Sequence, residues 1–387
     1  MRLYLALSWR TILFMSCAVL IAACCPEPVQ DSPAEIPSPP TPAPTSTLTP
    51  SPVSSPAPTF TPTSSPVPPP TPESNDPFTQ NLLLGRGVNL GNALEAPQEG
   101  EWGVVLEEEY FDLIAGAGFD SVRVPIRWST HADEVAPYTI DPVFFERIDW
   151  VVEQALSRDL LVVINIHHYE EIMQHPEEHQ ERLLALWSQI GEYYQDYPND
   201  LVFEILNEPS GSMRAAEWNA TLVDALAVIR ETNPERNVVI GATSWNKINT
   251  LSQLELPEDD RHIIVTFHYY DPFEFTHQGA EWVVDSDAWL GQTWTGEIMQ
   301  KRGVEADLNR AAKWGEENYR PLYMGEFGAY SKADMQSRAL WTAYVARQAE
   351  ERGMSWAYWE FCSGFGVYDK EMGRWNDDLL EALVPSE

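Results

Sequence analysis

The sequence predicts a closed parallel (β/α)8 TIM barrel, and three observations predict it. Eight short runs rich in branched and aromatic apolar residues recur between residues 76 and 387. Helical patterns fill the gaps between most of them, the alternation expected of parallel strands joined by crossover helices. Polar and aromatic residues then collect where the runs end, which is where such barrels carry their chemistry. A doubly wound open sheet is the alternative, but no glycine-rich phosphate turn follows the first run.

Two segments precede that domain. Residues 1–23 read as an export signal: Arg2 and Arg10 give a basic start, and Thr11 to Ala23 is an apolar run too short to span a bilayer. The run ends Leu20-Ile21-Ala22-Ala23-Cys24, a lipobox-like sequence that makes Cys24 the expected site of lipidation and the mature N-terminus. Ordinary cleavage with release is the alternative; both place the protein outside a bacterial cell, touching a membrane only through the lipid. Residues 24–75 are a Pro/Thr/Ser tract holding more than half of the chain's 31 prolines. Such a tract cannot bury enough apolar surface to fold. At about 3 Å per residue it spans ~100 Å or more when fully extended.

Composition narrows the function. A formal net charge of −35 argues against nucleic acid as a partner, because phosphates require Lys and Arg. Fifteen Trp residues suit stacking on the flat faces of sugar rings, or simple filling of the core. Cys17, Cys24 and Cys25 lie at the extreme N-terminus, so Cys362 stands alone in the globular part, with neither a disulfide partner nor metal-ligand spacing.

In chain order the predicted strands are Gly85–Leu90, Ser121–Ile126, Leu161–His167, Leu201–Leu206, Asn237–Ala242, Ile263–His268, Pro321–Gly325 and Ser355–Trp359. Helical patterns cover Val104–Ala117, Pro142–Arg158, Glu178–Gln195, Ala215–Thr232, Glu305–Glu317 and Asp334–Arg352, with a weaker one over Trp245–Leu254. The fourth strand shows most clearly how a run stops. Leu201 to Leu206 gives way to Asn207-Glu208-Pro209, and the proline cannot continue a hydrogen-bonded ladder. The other rims carry Asn92 and Glu95, Arg123, His167-His168, His268-Tyr269-Tyr270, Glu326 and Trp359-Glu360.

Glu208 and Glu326 stand out. Strand ends four and seven can meet across one cleft, and two facing carboxylates suit glycosidic bond cleavage, one protonated to donate and one ionised to attack or stabilise. Unequal surroundings and mutual repulsion would separate their pKa values.

These motifs together resemble glycoside hydrolase family 5, of the retaining clan A barrels. The resemblance rests on Asn207-Glu208-Pro209, Gly325-Glu326-Phe327-Gly328, His268-Tyr269-Tyr270 and the strand-eight Trp359, and runs from about Leu84 to Trp359. The opening Gly87-Val88-Asn89-Leu90-Gly91-Asn92-Ala93-Leu94-Glu95-Ala96-Pro97 is similar to the branch of thermophilic endoglucanases also active on mannan. The resemblance implies Glu208 as acid/base and Glu326 as nucleophile. It implies Asn207 on the sugar 2-hydroxyl, Arg123 and Tyr270 as donors to Glu326, and His268 beside Glu208. It implies Asn92, Glu95, His167, His168, His277, Trp282, Trp359 and Glu360 as substrate-binding residues. Trp289 and Trp294 would either extend the cleft or simply pack. The implied activity is retaining endo-β-1,4-glucanase, with mannan, xyloglucan or mixed-linkage glucan as alternatives, no cofactor or metal, and a monomer acting on a β-linked polysaccharide.

Other readings stay open at this level. His167 and His168 could be metal ligands, although neighbours on a strand point to opposite faces. Arg123 could be a structural ion pair. The whole barrel could bind carbohydrate without cutting it.

Overall fold

The computed structural model describes residues 75–386. The expected export signal, Cys24 and nearly all of the Pro/Thr/Ser tract lie outside the described residues. Eight parallel strands close a barrel: β1 (Arg86–Asn89), β2 (Ser121–Val124), β3 (Leu161–Asn165), β4 (Leu201–Glu204), β5 (Val238–Gly241), β6 (Ile263–Tyr269), β7 (Leu322–Phe327) and β8 (Ser355–Tyr358). Each pairs with the next in sequence, and β1 pairs with β8 through Val88 and Tyr358 to close the ring.

Side-chain alternation divides the apolar residues into two cores. Val163, Val202, Val239, Ile264, Tyr323 and Ala357 point into the barrel and meet Leu84. Their neighbours point outward into the larger core beneath the helices, as Phe203 does against Trp187, ring centroids 5.4 Å apart. One step up β4 from Val202, the inward position is Glu204, fully buried. The barrel interior is thus apolar at its lower end and ionic beneath its rim.

The lower mouth is closed by a helix absent from the sequence reading, Pro77–Leu84, capped by Asp76. Asn81 donates to the Leu322 carbonyl at 3.0 Å, and Ser121 Oγ donates to the Leu84 carbonyl at 2.6 Å. Both strand residues open their strands, so this helix lies at the end opposite the strand C-termini.

Several boundaries move. β7 runs through Glu326 to Phe327 instead of stopping at Gly325. The helix before it begins at Ile298 rather than Glu305, because a Glu297–Gln300 capping box starts it while Ile298 and Met299 still face solvent. The first helical pattern begins at Glu108 rather than Val104. The Trp245–Leu254 helix is instead a short turn, Thr243–Asn246, followed by a 3-10 segment, Ile248–Gln253. Ser244, Trp245 and Asn246 all have left-handed backbone, with φ of 60°, 61° and 54°.

Candidate active site

A cleft opens at the C-terminal rim of the barrel, and Glu208 and Glu326 both line it. Below them lies Arg123, wholly buried, whose guanidinium organises the rim from β2. Its Nε and Nη2 donate to Glu204 at 2.6 and 2.8 Å, and its Nη1 donates to Glu326 Oε1 at 2.8 Å. Nη1 also reaches Asn89 Oδ1 at 2.8 Å, and Nη2 reaches Asn207 Oδ1 at 2.7 Å. Burial opposes the charge, but Glu204 and Glu326 outweigh it and raise the guanidinium above its ordinary value. Arg123 is therefore both of the things weighed for it: a barrel ion pair through Glu204 and a donor to Glu326. Because Asn207 Oδ1 is held by Arg123, its amide NH2 is the group left for a ligand.

Glu326 also accepts from the Tyr270 hydroxyl at 3.1 Å. Burial raises its carboxyl, and His268 and Arg123 oppose that rise. Glu208 sits just beyond β4 on left-handed backbone, φ 48°, with 26% of its side chain exposed. Among the described residues, no arginine pairs with it. Its Oε1 meets His268 Nδ1 at 2.7 Å, and burial pushes its carboxyl up to about 7. His268 is itself held down to about 4 by burial, so at neutral pH this contact is a hydrogen bond from a neutral ring. A carboxylate oxygen of each glutamate and a ring nitrogen of His268 all lie within 4.8 Å of one another. The pairing of β6 with β7 shifts register between Phe267 and His268. A Cβ on Gly325 would stand 2.7 Å from Thr266 Oγ1 and 3.3 Å from His268 Nε2, so the close approach of β6 there needs a glycine.

The remaining sequence candidates divide by position. Asn92, Glu95, His167, His168, His277, Trp282 and Trp359 line the cleft with the two glutamates. Trp359 lies parallel to His167, centroids 5.8 Å apart, and its indole occupies the space a side chain at Gly91 would need. Trp282 is 59% exposed and stands against Tyr330, while His277 stacks on Phe273. Glu360 does not line the cleft. It is fully buried and accepts from the backbone N–H groups of Cys362, Ser363 and Phe365, holding that loop from beneath. Glu95 likewise accepts from the N–H groups of Asn92 and Ala93. Burial pushes each of these two carboxyls up to about 7. Trp294 packs into the core against Tyr344 and does not extend the cleft; Trp289 leans on Phe273 outside the lining.

Among the described residues, His167 and His168 do not fall in a group of three His, Cys, Asp or Glu side chains close enough to hold an ion. His167 Nδ1 lies 3.1 Å from Asn165 Nδ2, and burial holds its ring well below the ordinary value. Among the described residues, the group close enough to hold an ion is Glu208, His268 and Glu326, and each already serves in a hydrogen bond within the site.

Residues the sequence reading missed are Glu204, Asn89, Trp102, Tyr330 and Phe365. Glu204 had a signal: a carboxylate at an inward position of an apolar strand requires a buried cation, and Arg123 lies inward on β2. Trp102, Tyr330 and Phe365 had none, because they reach the cleft from irregular loops.

Comparison with known proteins agrees with this fold. Residues 85–364 match the family model for cellulase, glycosyl hydrolase family 5. Endoglucanase H of Acetivibrio thermocellus is 40% identical over 304 residues, covering 78% of this chain and 32% of that protein, so the chain spans about a third of it. A Thermotoga maritima Cel5A structure in complex with mannotriose superposes with a TM-score of 0.79 at 55% identity, covering 80% of this chain and 100% of that one. The cellulose synthase subunit Z of Clostridioides difficile gives 0.76 at 40% identity, covering 78% and 99%.

Proposed function

Since the chain belongs to the cellulase family, glycosyl hydrolase family 5, we propose that it is a retaining endo-β-1,4-glucanase that cuts internal bonds of cellulose-like glucan. The observation that carries this reading is the pair of unlike carboxyls, with oxygens within 4.8 Å. Oxygens that close leave little room for a water between the carboxyls, which supports retention, with carboxyl groups about 5–5.5 Å apart, over inversion at about 6.5–9.5 Å.

Glu326, with Arg123 and Tyr270 donating to its two oxygens, is the carboxylate that attacks the anomeric carbon. Glu208, pushed up to about 7 and without an arginine, keeps its proton and gives it to the leaving oxygen. The bond from the anomeric carbon to that oxygen breaks as the bond to Glu326 forms. Glu208, now ionised, takes a proton from water, whose oxygen displaces Glu326 and returns the anomeric configuration. The Asn207 amide meets the sugar 2-hydroxyl, and Trp359 with Trp282 offers aromatic faces to the chain. The Cel5A structure with mannotriose supports mannan or glucomannan as a further substrate here, and the one with cellobiose supports glucan. We place the enzyme outside the cell, exported by residues 1–23, held at Cys24 by lipid and spaced by the 24–75 tract. It works as a monomer.

The test is Glu208→Gln and Glu326→Gln. Each should lower turnover on carboxymethyl cellulose or lichenan by ~10³-fold or more, about 4 kcal/mol in the barrier, with the fold retained. Near-normal turnover in either refutes the assignment, and saturable binding with no reducing sugar released by the unaltered chain points to a binding barrel. Parallel assays on glucomannan, mannan, xyloglucan and xylan fix the substrate.

A further inference from the structure

The turn after β5 carries three successive residues other than glycine on left-handed backbone, Ser244, Trp245 and Asn246. That conformation is unfavourable for L residues, and such strain persists where surrounding contacts hold it. The last of the three is tied to the site. Asn246 is fully buried and its Nδ2 lies 3.2 Å from His268 Nε2. Its carboxamide occupies the space a side chain at residue 241 would fill: a Cβ on Gly241 would stand 2.1 Å from Asn246 Oδ1. The turn is further held by the Trp245 N–H on the Pro209 carbonyl at 3.4 Å, immediately after Glu208.

We propose that Asn246 is a positioning residue that fixes the imidazole proton of His268 on Nδ1, so that the acid proton of Glu208 is carried on Oε2. The argument starts at the other ring nitrogen. Nδ1 faces two carboxylates, Glu208 Oε1 at 2.7 Å and Glu326 Oε2 at 3.5 Å. The further charges acting on the ring are Arg123 and Glu204, and those acting on Glu208 are Arg123, His168, Glu204 and Lys247. A nitrogen between carboxylates donates, and a neutral ring has one proton, so Nε2 must accept. Asn246 supplies the donor that a buried acceptor requires. With Nδ1–H on Oε1, a protonated Glu208 carries its hydrogen on the opposite oxygen, free for a leaving group. In the other tautomer Nδ1 would accept, drawing the proton to Oε1 and away from the substrate.

This rests on Glu208 being the acid, and the test separates the two claims. The 15N spectrum of His268, identified by its loss in His268→Gln, should show a protonated Nδ1 and a bare Nε2. Asn246→Gly keeps the left-handed backbone without strain and removes only the amide. Its kcat/KM on cello-oligosaccharides should fall ~10-fold or more, within the range of general-acid effects. On 2,4-dinitrophenyl cellobioside, whose leaving group departs without a proton, kcat/KM should stay within about threefold. Gly241→Ala, which displaces the amide, should show the same selectivity. Equal loss on both substrates, no loss on either, or a protonated Nε2 overturns the proposal. Glu208→Ala must show the same selectivity in stronger form. If it does not, the acid assignment fails; if it does while Asn246→Gly shows none, only the role of Asn246 fails.

Discussion

Replacing Arg123 with lysine tests how the site is held together. The charge is retained, but a planar fork becomes a single ammonium with three donor hydrogens. Arg123 makes five hydrogen bonds: two to Glu204 and one each to Glu326, Asn89 and Asn207. At least two must go. Hydrogen bonds to charged groups contribute ~1.5–3 kcal/mol each, so about 3–6 kcal/mol is at stake. Part of this appears as stability, because Glu204 is buried and loses its two-point partner. The rest appears in the barrier, because Glu326 and Asn207 lose their fixed orientation. Denaturant unfolding and kcat/KM on one soluble substrate should together account for the sum, with activity down about 10- to 150-fold if half of it falls on the barrier. Arg123→Met should be worse, because it strands Glu204 as a buried unpaired carboxylate at about 3–5 kcal/mol. Adding Glu204→Gln to that variant should recover part of the stability. A lysine variant within ~1 kcal/mol of the parent in stability and within threefold in activity would refute the account.

Four further expectations concern pH, metal and substrate. Glu95 and Glu360 are raised from 4.5 to about 7 by burial, so the folded protein binds their protons more tightly than the unfolded chain does. Their stabilisation is full below the unfolded pKa and is lost as pH rises through about 7, by up to ~3 kcal/mol each. Tm should therefore fall between pH 5 and pH 8, and Glu95→Gln or Glu360→Gln should flatten the slope. By the same burial, kcat/KM on oligosaccharides should decline above about 7, as Glu208 loses its proton, and a limb lying near the ordinary carboxylate value argues against that reading. EDTA should leave activity unchanged, while added Zn2+ should inhibit by occupying Glu208, His268 and Glu326 together; chelator sensitivity restored by one metal contradicts this. Trp282→Ala removes a 59% exposed wall of the cleft, so KM should rise more than kcat falls, with Tm unchanged.

Strand identity was legible because apolar runs bounded by turn residues follow from burial alone. The two glutamates were legible because a carboxylate ending such a run has few structural uses. What stayed hidden depends on side chains meeting from distant strands. Glu204 looked like one irregular letter in an apolar strand until Arg123 stood opposite it, 2.6 Å away. Glu360 sits beside the cleft-lining Trp359 in sequence, yet its carboxylate is fully buried on three loop N–H groups. The Ser244–Asn246 turn offered no glycine to mark left-handed backbone, so its pattern passed for a helix. Helix Pro77–Leu84 escaped because its exposed Leu82 and Leu83 break the apolar period that would have revealed it.

That helix also fixes an orientation. It seals the barrel floor through Leu84 and Asn81, while the glutamates stand on the roof. The described chain therefore enters from the side facing away from its catalytic opening. A preparation coupled to a resin or electrode through a residue near position 75 would present the cleft outward, whereas random coupling through surface lysines would hide a fraction of the clefts. Grafting a second module at that end leaves the rim loops untouched, and the path of a long polymer across the roof stays clear of the graft.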